Sequence, residues 1–186
     1  FWSQVKGIEK IQIVLTDHAY WSGHSMFDKY LCFRDVGAEV CNQIRDIDIA
    51  KIFKVPQFPL TDDKYNEESL PIPKFKYAYT GGAIYKFIDK DLTFFNLLKE
   101  ICRQNSDLKI LFGAIGDSGP LEKFIKKHQL TNQIMLHGNV SNIYEVINHS
   151  HIYINSFPLS GGHMIFSALI GGTNVITYSP EEFYFH

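Results

Sequence analysis

A parallel α/β sheet wound in both directions is the architecture this sequence predicts for its carboxyl-terminal two thirds, and three observations predict it. Short β-branched and aromatic runs alternate regularly with segments that carry apolar residues at helical spacing, a pattern that leads to parallel strands covered by helices on both faces. The stretch Ile152 to Thr177 compresses that pattern into one unit: a buried strand, a glycine-bearing turn, a helix and a second buried strand. Two Gly-Gly pairs, Gly81-Gly82 and Gly161-Gly162, follow the first and fourth strands of the series. In the strand order 3-2-1-4-5 those strands are neighbours whose connections leave in opposite directions, so both pairs face one crevice, the place where such sheets bind ligands.

The elements follow in order. IQIVL, Ile11 to Leu15, reads as a strand, and KYLCFRD and KIFKV, the latter ending at Val55, read as two more, with a short amphipathic helix over Ala38 to Ile44 between them. Pro56 to Lys74 holds four prolines and a cluster of acids, which predicts an extended surface connector and a domain boundary. Beyond it come strand Phe75 to Thr80, helix Leu92 to Arg103, strand Leu108 to Gly113 and helix Leu121 to His128. Strand Gln133 to Gly138, helix Ile143 to His149, strand His151 to Asn155, helix Met164 to Ile170 and strand Asn174 to Tyr178 complete the series.

The last helix carries Ile165, Phe166, Leu169 and Ile170 on its apolar face, and Gly171 and Gly172 end it. At its start, glycine lets a ligand approach the backbone, and the unpaired N–H groups around Gly161, Gly162 and His163 point along the helix axis, an arrangement suited to an anion. Lys86, at the end of the Thr80 to Lys86 loop, adds a cation on the other side of the same crevice. The helix dipole contributes up to ~2 kcal/mol to such a site when it is partly buried. Taken alone, either Gly-Gly pair is equally compatible with a simple turn, and Lys86 with a solvated surface lysine; the convergence of the three favours an anion site.

Composition narrows the classes. The chain has 186 residues, a net charge of −2, 45% hydrophobic and 15% aromatic residues, enough for a sizeable core and without a basic surface for nucleic acid. Three cysteines, Cys32, Cys41 and Cys102, sit singly on apolar segments, which favours reduced core thiols and the cytoplasm. No apolar run approaches the ~20 residues of a membrane span. His149 and His151 bracket a helix-to-strand junction with no third ligand at suitable spacing, so no metal site is expected. The chain opens on Phe1 and stops soon after a strand-like run, so it is expected to be a piece of a longer protein, truncated within its last domain.

The pair Tyr85-Lys86 shortly after the first strand, with Pro158-Leu159 and Gly162-His163 opening a later helix, resembles the carboxyl-terminal, nucleotide-sugar-binding domain of GT-B glycosyltransferases. The likeness is nearest to the group that contains O-GlcNAc transferase and the bacterial cytoplasmic N-glucosyltransferases, and spans roughly Phe75 to Tyr178. The resemblance implies a Rossmann-like donor domain over residues 75–186, a linker at 56–74, and the end of an amino-terminal, acceptor-side Rossmann-like domain in residues 1–55. It implies that Lys86 and the amides from Gly161 to Met164, with Gly81, Gly82 and Ser160 alongside, hold the diphosphate of a UDP-sugar. His137, Gly138 and Asn139 would then lie near the base and Ser167 near the ribose. Neither metal nor cofactor is implied beyond the donor itself.

This chain departs from the resemblance at two places. Many transferases of this fold carry an acid where Ser167 stands, and a serine gives one hydrogen bond in place of a charged bidentate grip. Met164 and Ile165 replace threonines, which leaves more of the phosphate binding to backbone groups. In the amino-terminal segment, Thr16 to Ser25 contains Asp17, His18 and His24. Asp17 and His18 are the candidates for acceptor deprotonation, since histidine titrates near neutrality, but they serve equally as caps of the following turn. The expected function is transfer of a sugar from a nucleotide-diphosphate donor to a glycan or protein acceptor. The alternatives are a noncatalytic subunit of the same fold that binds a partner or acceptor, and a nucleotide-sugar epimerase.

Overall fold

The structure is a computed structural model that describes residues 4–15, 21–56 and 69–178. Its described residues divide between two compact units, one built from the chain before Pro59 and one within Pro59–Glu181.

The amino-terminal unit holds three strands, β1 (Ile11–Val14), β2 (Lys29–Cys32) and β3 (Ile52–Lys54), paired in parallel in the order β1-β2-β3. Tyr30 stands opposite Gln12 on one side and Ile52 on the other. Val14, Tyr30, Cys32, Cys41 and Ile47 form the core of this unit. The helix between β2 and β3 begins three residues before the sequence pattern predicts. It runs as α1 (Asp35–Glu39) and continues as a wider turn over Val40–Ile44. Asp35 lies in its first turn, where the helix dipole favours a carboxylate, and it accepts a 2.7 Å hydrogen bond from Lys54.

The second unit is a five-stranded parallel sheet of β4 (Tyr77–Ala83), β5 (Lys109–Ile115), β6 (Ile134–His137), β7 (Ile152–Ile154) and β8 (Asn174–Ile176). Its order is β6-β5-β4-β7-β8, so the five strands of the predicted series lie in the order 3-2-1-4-5. Successive side chains of a strand point to opposite faces, and β4 shows the result. Ala78 joins the face packed with Phe87, Phe94, Phe95, Leu98, Phe112 and Leu121, where α2 (Thr93–Gln104) and α3 (Gly119–Lys127) lie. Tyr77 and Tyr79 join the other face with Leu111, Val146, Tyr153 and Ala168, under α4 (Ile143–Asn148) and α5 (Gly162–Ile170). Helices on both faces of a parallel sheet make the architecture doubly wound and Rossmann-like.

Element boundaries move where local chemistry competes with periodicity. Asp89 accepts the Thr93 N–H at 2.8 Å at the start of α2. α3 starts two residues early because Pro120 suits a first helical turn and Asp117 accepts the Gly119 N–H at 2.9 Å. β4 runs three residues past its expected end. Gly81 and Gly82 continue its ladder opposite Gly113 and Ala114, so the first Gly-Gly pair is strand rather than loop. The connection then begins as a single 3-10 turn, Ile84–Phe87, whose Ile84 and Phe87 are buried while Tyr85 is exposed.

Candidate functional site

The crevice between β4 and β7 is where the sheet order reverses, since β4 also pairs with β5 and β7 with β8. The two connections that leave it are joined directly: the Leu159 N–H donates to the Lys86 carbonyl at 3.2 Å. That bond sets the Ile84–Phe87 turn, with Lys86, beside the loop that opens α5. Lys86 is half-buried and has no carboxylate partner among the described residues.

Asn155 organises this loop. Its side chain is buried; Oδ1 accepts the Gly161 N–H at 3.1 Å and the Tyr153 hydroxyl at 3.4 Å, while Nδ2 donates to the hydroxyls of Ser160 at 2.9 Å and Thr177 at 3.2 Å. The Ser156 hydroxyl donates to the Leu159 carbonyl at 2.7 Å and tightens the same turn. Ser160 is thereby committed to Asn155 and acts on the loop's shape. Asparagine pairs with backbone in turns of this kind, but periodicity gives no sign of it, and the sequence reading does not single Asn155 out.

Gly161 is the residue before α5, and its carbonyl accepts the N–H groups of Met164 at 3.1 Å and Ile165 at 3.2 Å. The N–H groups of Gly162 and His163 have no acceptor among the described residues, as expected for a first turn. The His163 side chain is exposed, and a Cβ on Gly162 would meet nothing within 4 Å. These two donors lie at the positive end of the helix dipole, which suits a negatively charged group. Ser167 is placed differently from its expected role. It is 4% exposed and donates to the His163 carbonyl at 3.2 Å, so its proton is spent on its own helix.

A second feature lies at the carboxyl ends of β4, β5 and β6. A cavity of about 150 Å³ is lined there by Tyr79, Gly82, Gly113, Ile115, Gly138, Asn139, Val140, Ile143 and Met164. It brings together Gly82, Gly138, Asn139 and Met164 of the expected donor set. Gly81 does not line it. A Cβ at Gly81 would lie 2.5 Å from the Tyr79 hydroxyl and 2.9 Å from the Gly113 carbonyl oxygen, so this glycine serves close packing between strands.

His137 ends β6 opposite Gly113, and its Nε2 is buried without a hydrogen-bond partner among the described residues. Burial lowers the pKa of this imidazole below its ordinary value, so it is neutral at neutral pH. The folded state therefore binds fewer protons than the unfolded state as pH falls through the unfolded value of about 6.5, and stability present above that pH is lost below it. His137→Gln is expected to flatten the acid side of the stability profile below about pH 6.5. Urea denaturation at several pH values checks this; an unchanged slope would remove His137 as its source.

Asp17 and His18 lie outside the described residues, while His24 begins a 3-10 turn, His24–Met26, in the amino-terminal unit. Cys32, Cys41 and Cys102 are buried thiols rather than disulfides. No described helix is long and apolar enough to cross a membrane.

No family model matches this chain, and no curated protein sequence does. Solved structures match its fold. A TarM mutant from S. aureus, in complex with fondaparinux, α-GlcNAc-glycerol and UDP, superposes with a TM-score of 0.66 at 14% identity, over 91% of this chain and 36% of TarM. The pneumococcal O-GlcNAc transferase GtfA, in complex with UDP and GlcNAc, gives 0.60 at 18% identity, over 81% of this chain and 30% of GtfA. A putative UDP-N-acetylglucosamine 2-epimerase from Listeria monocytogenes gives 0.53 at 12% identity, over 82% and 42%. The chain thus spans less than half the length of each. The Rossmann-like fold of this chain is that of the GT-B glycosyltransferases.

Proposed function

We propose that this chain is the donor-binding portion of a glycosyltransferase that moves a sugar from a UDP-linked donor to a glycan or protein acceptor. The observation that carries the reading is a pair of first-turn donors at the sheet's reversal point, the Gly162 and His163 amides, which have no acceptor among the described residues, with the Lys86 backbone tied to the same loop by the Leu159 to Lys86 hydrogen bond. A UDP diphosphate matches this chemistry, and UDP is the nucleotide in the TarM and GtfA structures of the same fold.

In the proposed reaction the bond between the sugar's anomeric carbon and the diphosphate oxygen breaks as a bond to the acceptor heteroatom forms. Developing charge on the leaving diphosphate falls on Lys86 and the α5 amides, which take the role a metal ion holds in other transferases. The acceptor's proton passes to a base, for which His18 and Asp17 are the candidates. No further cofactor enters. We assign the chain to the cytoplasm, a reading supported by the three buried thiols.

Calorimetric titration with UDP tests the reading. Lys86→Ala is expected to weaken UDP about tenfold to hundredfold, the usual worth of a hydrogen bond to a charged group, with melting unchanged. Equal affinity in variant and wild type would remove Lys86 from the site. A second reading, a noncatalytic subunit that binds a partner, is favoured by one observation, the engagement of Ser167 with its own helix in place of a ribose ligand. Such a subunit would bind neither UDP nor GDP.

A further inference from the structure

Three tyrosines, Tyr77, Tyr79 and Tyr153, are buried on the α4/α5 face of the sheet, each 2% exposed or less. A buried tyrosine hydroxyl ordinarily finds a partner, and two of the three do. Tyr77 donates to the Val146 carbonyl at 2.7 Å and Tyr153 to Asn155 Oδ1 at 3.4 Å. Tyr79, stacked on Tyr153 with ring centroids 6.3 Å apart, has no hydrogen-bond partner among the described residues.

The reason for this exception lies in what surrounds the hydroxyl. A Cβ at Gly81 or at Gly113 would run into it, so both glycines leave room for the Tyr79 ring to extend to the end of the sheet, where it lines the 150 Å³ cavity. The walls there are bare backbone at Gly82, Gly113 and Gly138, closed by Asn139 and by the apolar residues Ile115, Val140, Ile143 and Met164. No charged side chain lines the cavity among the described residues, which disfavours a phosphate. A dry apolar cavity of about 150 Å³ holds one six-membered ring such as benzene. Met164 belongs to the first turn of α5, so the cavity adjoins the proposed diphosphate site.

We propose that the Tyr79 hydroxyl projects into this cavity as a specificity-determining group and donates a hydrogen bond to a ring carbonyl of the uracil base of the bound nucleotide. The proposal rests on the donor-binding reading and extends it to a residue whose type and position in a buried strand read only as core. Burial holds the phenol well above its ordinary pKa, so it remains an O–H donor throughout the neutral range. The uracil ring would lie against the glycine backbones, while its oxygen meets the Tyr79 hydroxyl.

The test is calorimetric titration of the chain with UDP and, separately, with inorganic pyrophosphate, for the wild type and three variants. Tyr79→Phe keeps the ring and its stacking and is expected to weaken UDP about tenfold, the worth of one hydrogen bond, while pyrophosphate binding stays unchanged. Gly138→Leu, where an added Cβ meets nothing within 4 Å, fills the cavity and is expected to give the same selective loss. Should Tyr79→Phe lose its cooperative melting transition, Gly138→Leu alone decides. Lys86→Ala is expected to weaken both probes. Unchanged UDP affinity in a folded Tyr79→Phe, or in Gly138→Leu, with the Lys86→Ala loss intact, overturns the proposal and leaves the donor reading standing. Equal wild-type affinity for UDP and pyrophosphate also overturns it, because the base would then add nothing. Binding of neither probe removes the donor reading together with the proposal.

Discussion

Asn155→Asp is expected to weaken UDP binding about a hundredfold while the loop that opens α5 stays folded. The substitution is isosteric. The new carboxylate still accepts the Gly161 N–H, and the hydroxyls of Ser160 and Thr177, which now receive from Nδ2, can turn to donate. What changes is charge. A carboxylate at a position 3% exposed, bonded to the residue before α5, takes up the positive end of the helix dipole and repels a diphosphate placed against the same amides. At an effective dielectric of 20, two like charges 4 Å apart cost about 4 kcal/mol, and the lost dipole attraction adds up to ~2 kcal/mol. A hundredfold loss, about 2.7 kcal/mol, lies well inside that range. Calorimetry at pH 8 alongside a thermal melt checks the result. Unchanged affinity would place the anion elsewhere; lost cooperativity would make Asn155 a purely structural residue.

Gly81→Ala is expected to be a costly single-methyl change in the second unit. The added Cβ would sit 2.5 Å from the Tyr79 hydroxyl, 3.0 Å from its ring carbon Cζ and 2.9 Å from the Gly113 carbonyl oxygen. A flexible side-chain end can retreat, but Tyr79 is packed on Tyr153 and the Gly113 oxygen is backbone in the paired strand β5. Overpacking of this kind costs about 1–3 kcal/mol, and the fixed backbone contact favours the upper end. Gly138→Ala, where the new methyl meets open space, is the control and is expected to be near neutral. Urea denaturation with an unchanged m-value measures the difference. Equal midpoints for the two variants would mean that β4 and β5 yield easily at their carboxyl ends.

These two residues mark what the sequence made legible and what it hid. Strand order and the doubly wound layering could be read because near-continuous apolar runs such as Lys109 to Ile115 alternate with helical patterns such as Thr93 to Gln104, and few topologies accept that alternation. The α5 turn was legible through Gly161, Gly162 and His163. Asn155 was not, because one polar residue at a strand end reads as loop chemistry, and its four hydrogen-bond partners are spread from Tyr153 to Thr177. Gly81 read as a loop glycine although it lies in the β4 ladder, since a glycine needed for close approach in a strand has the same one-letter signature as one that turns. Tyr79 was legible as core but not as an unpaired hydroxyl, which depends on Gly113 in a strand 34 residues away. Ser167 pointed to the ribose through the resemblance alone, and its bond to the His163 carbonyl depends on a rotamer that no sequence states.

The claim that UDP binds at the α5 terminus is tested most directly by backbone-amide NMR of the chain during titration with UDP. The account predicts saturable downfield shifts of the Gly162 and His163 amides, first-turn donors without an acceptor among the described residues, with half-saturation moved to about tenfold to hundredfold more UDP in Lys86→Ala. Saturable binding that leaves both amides unmoved, or no shifts at all at millimolar UDP, would contradict it.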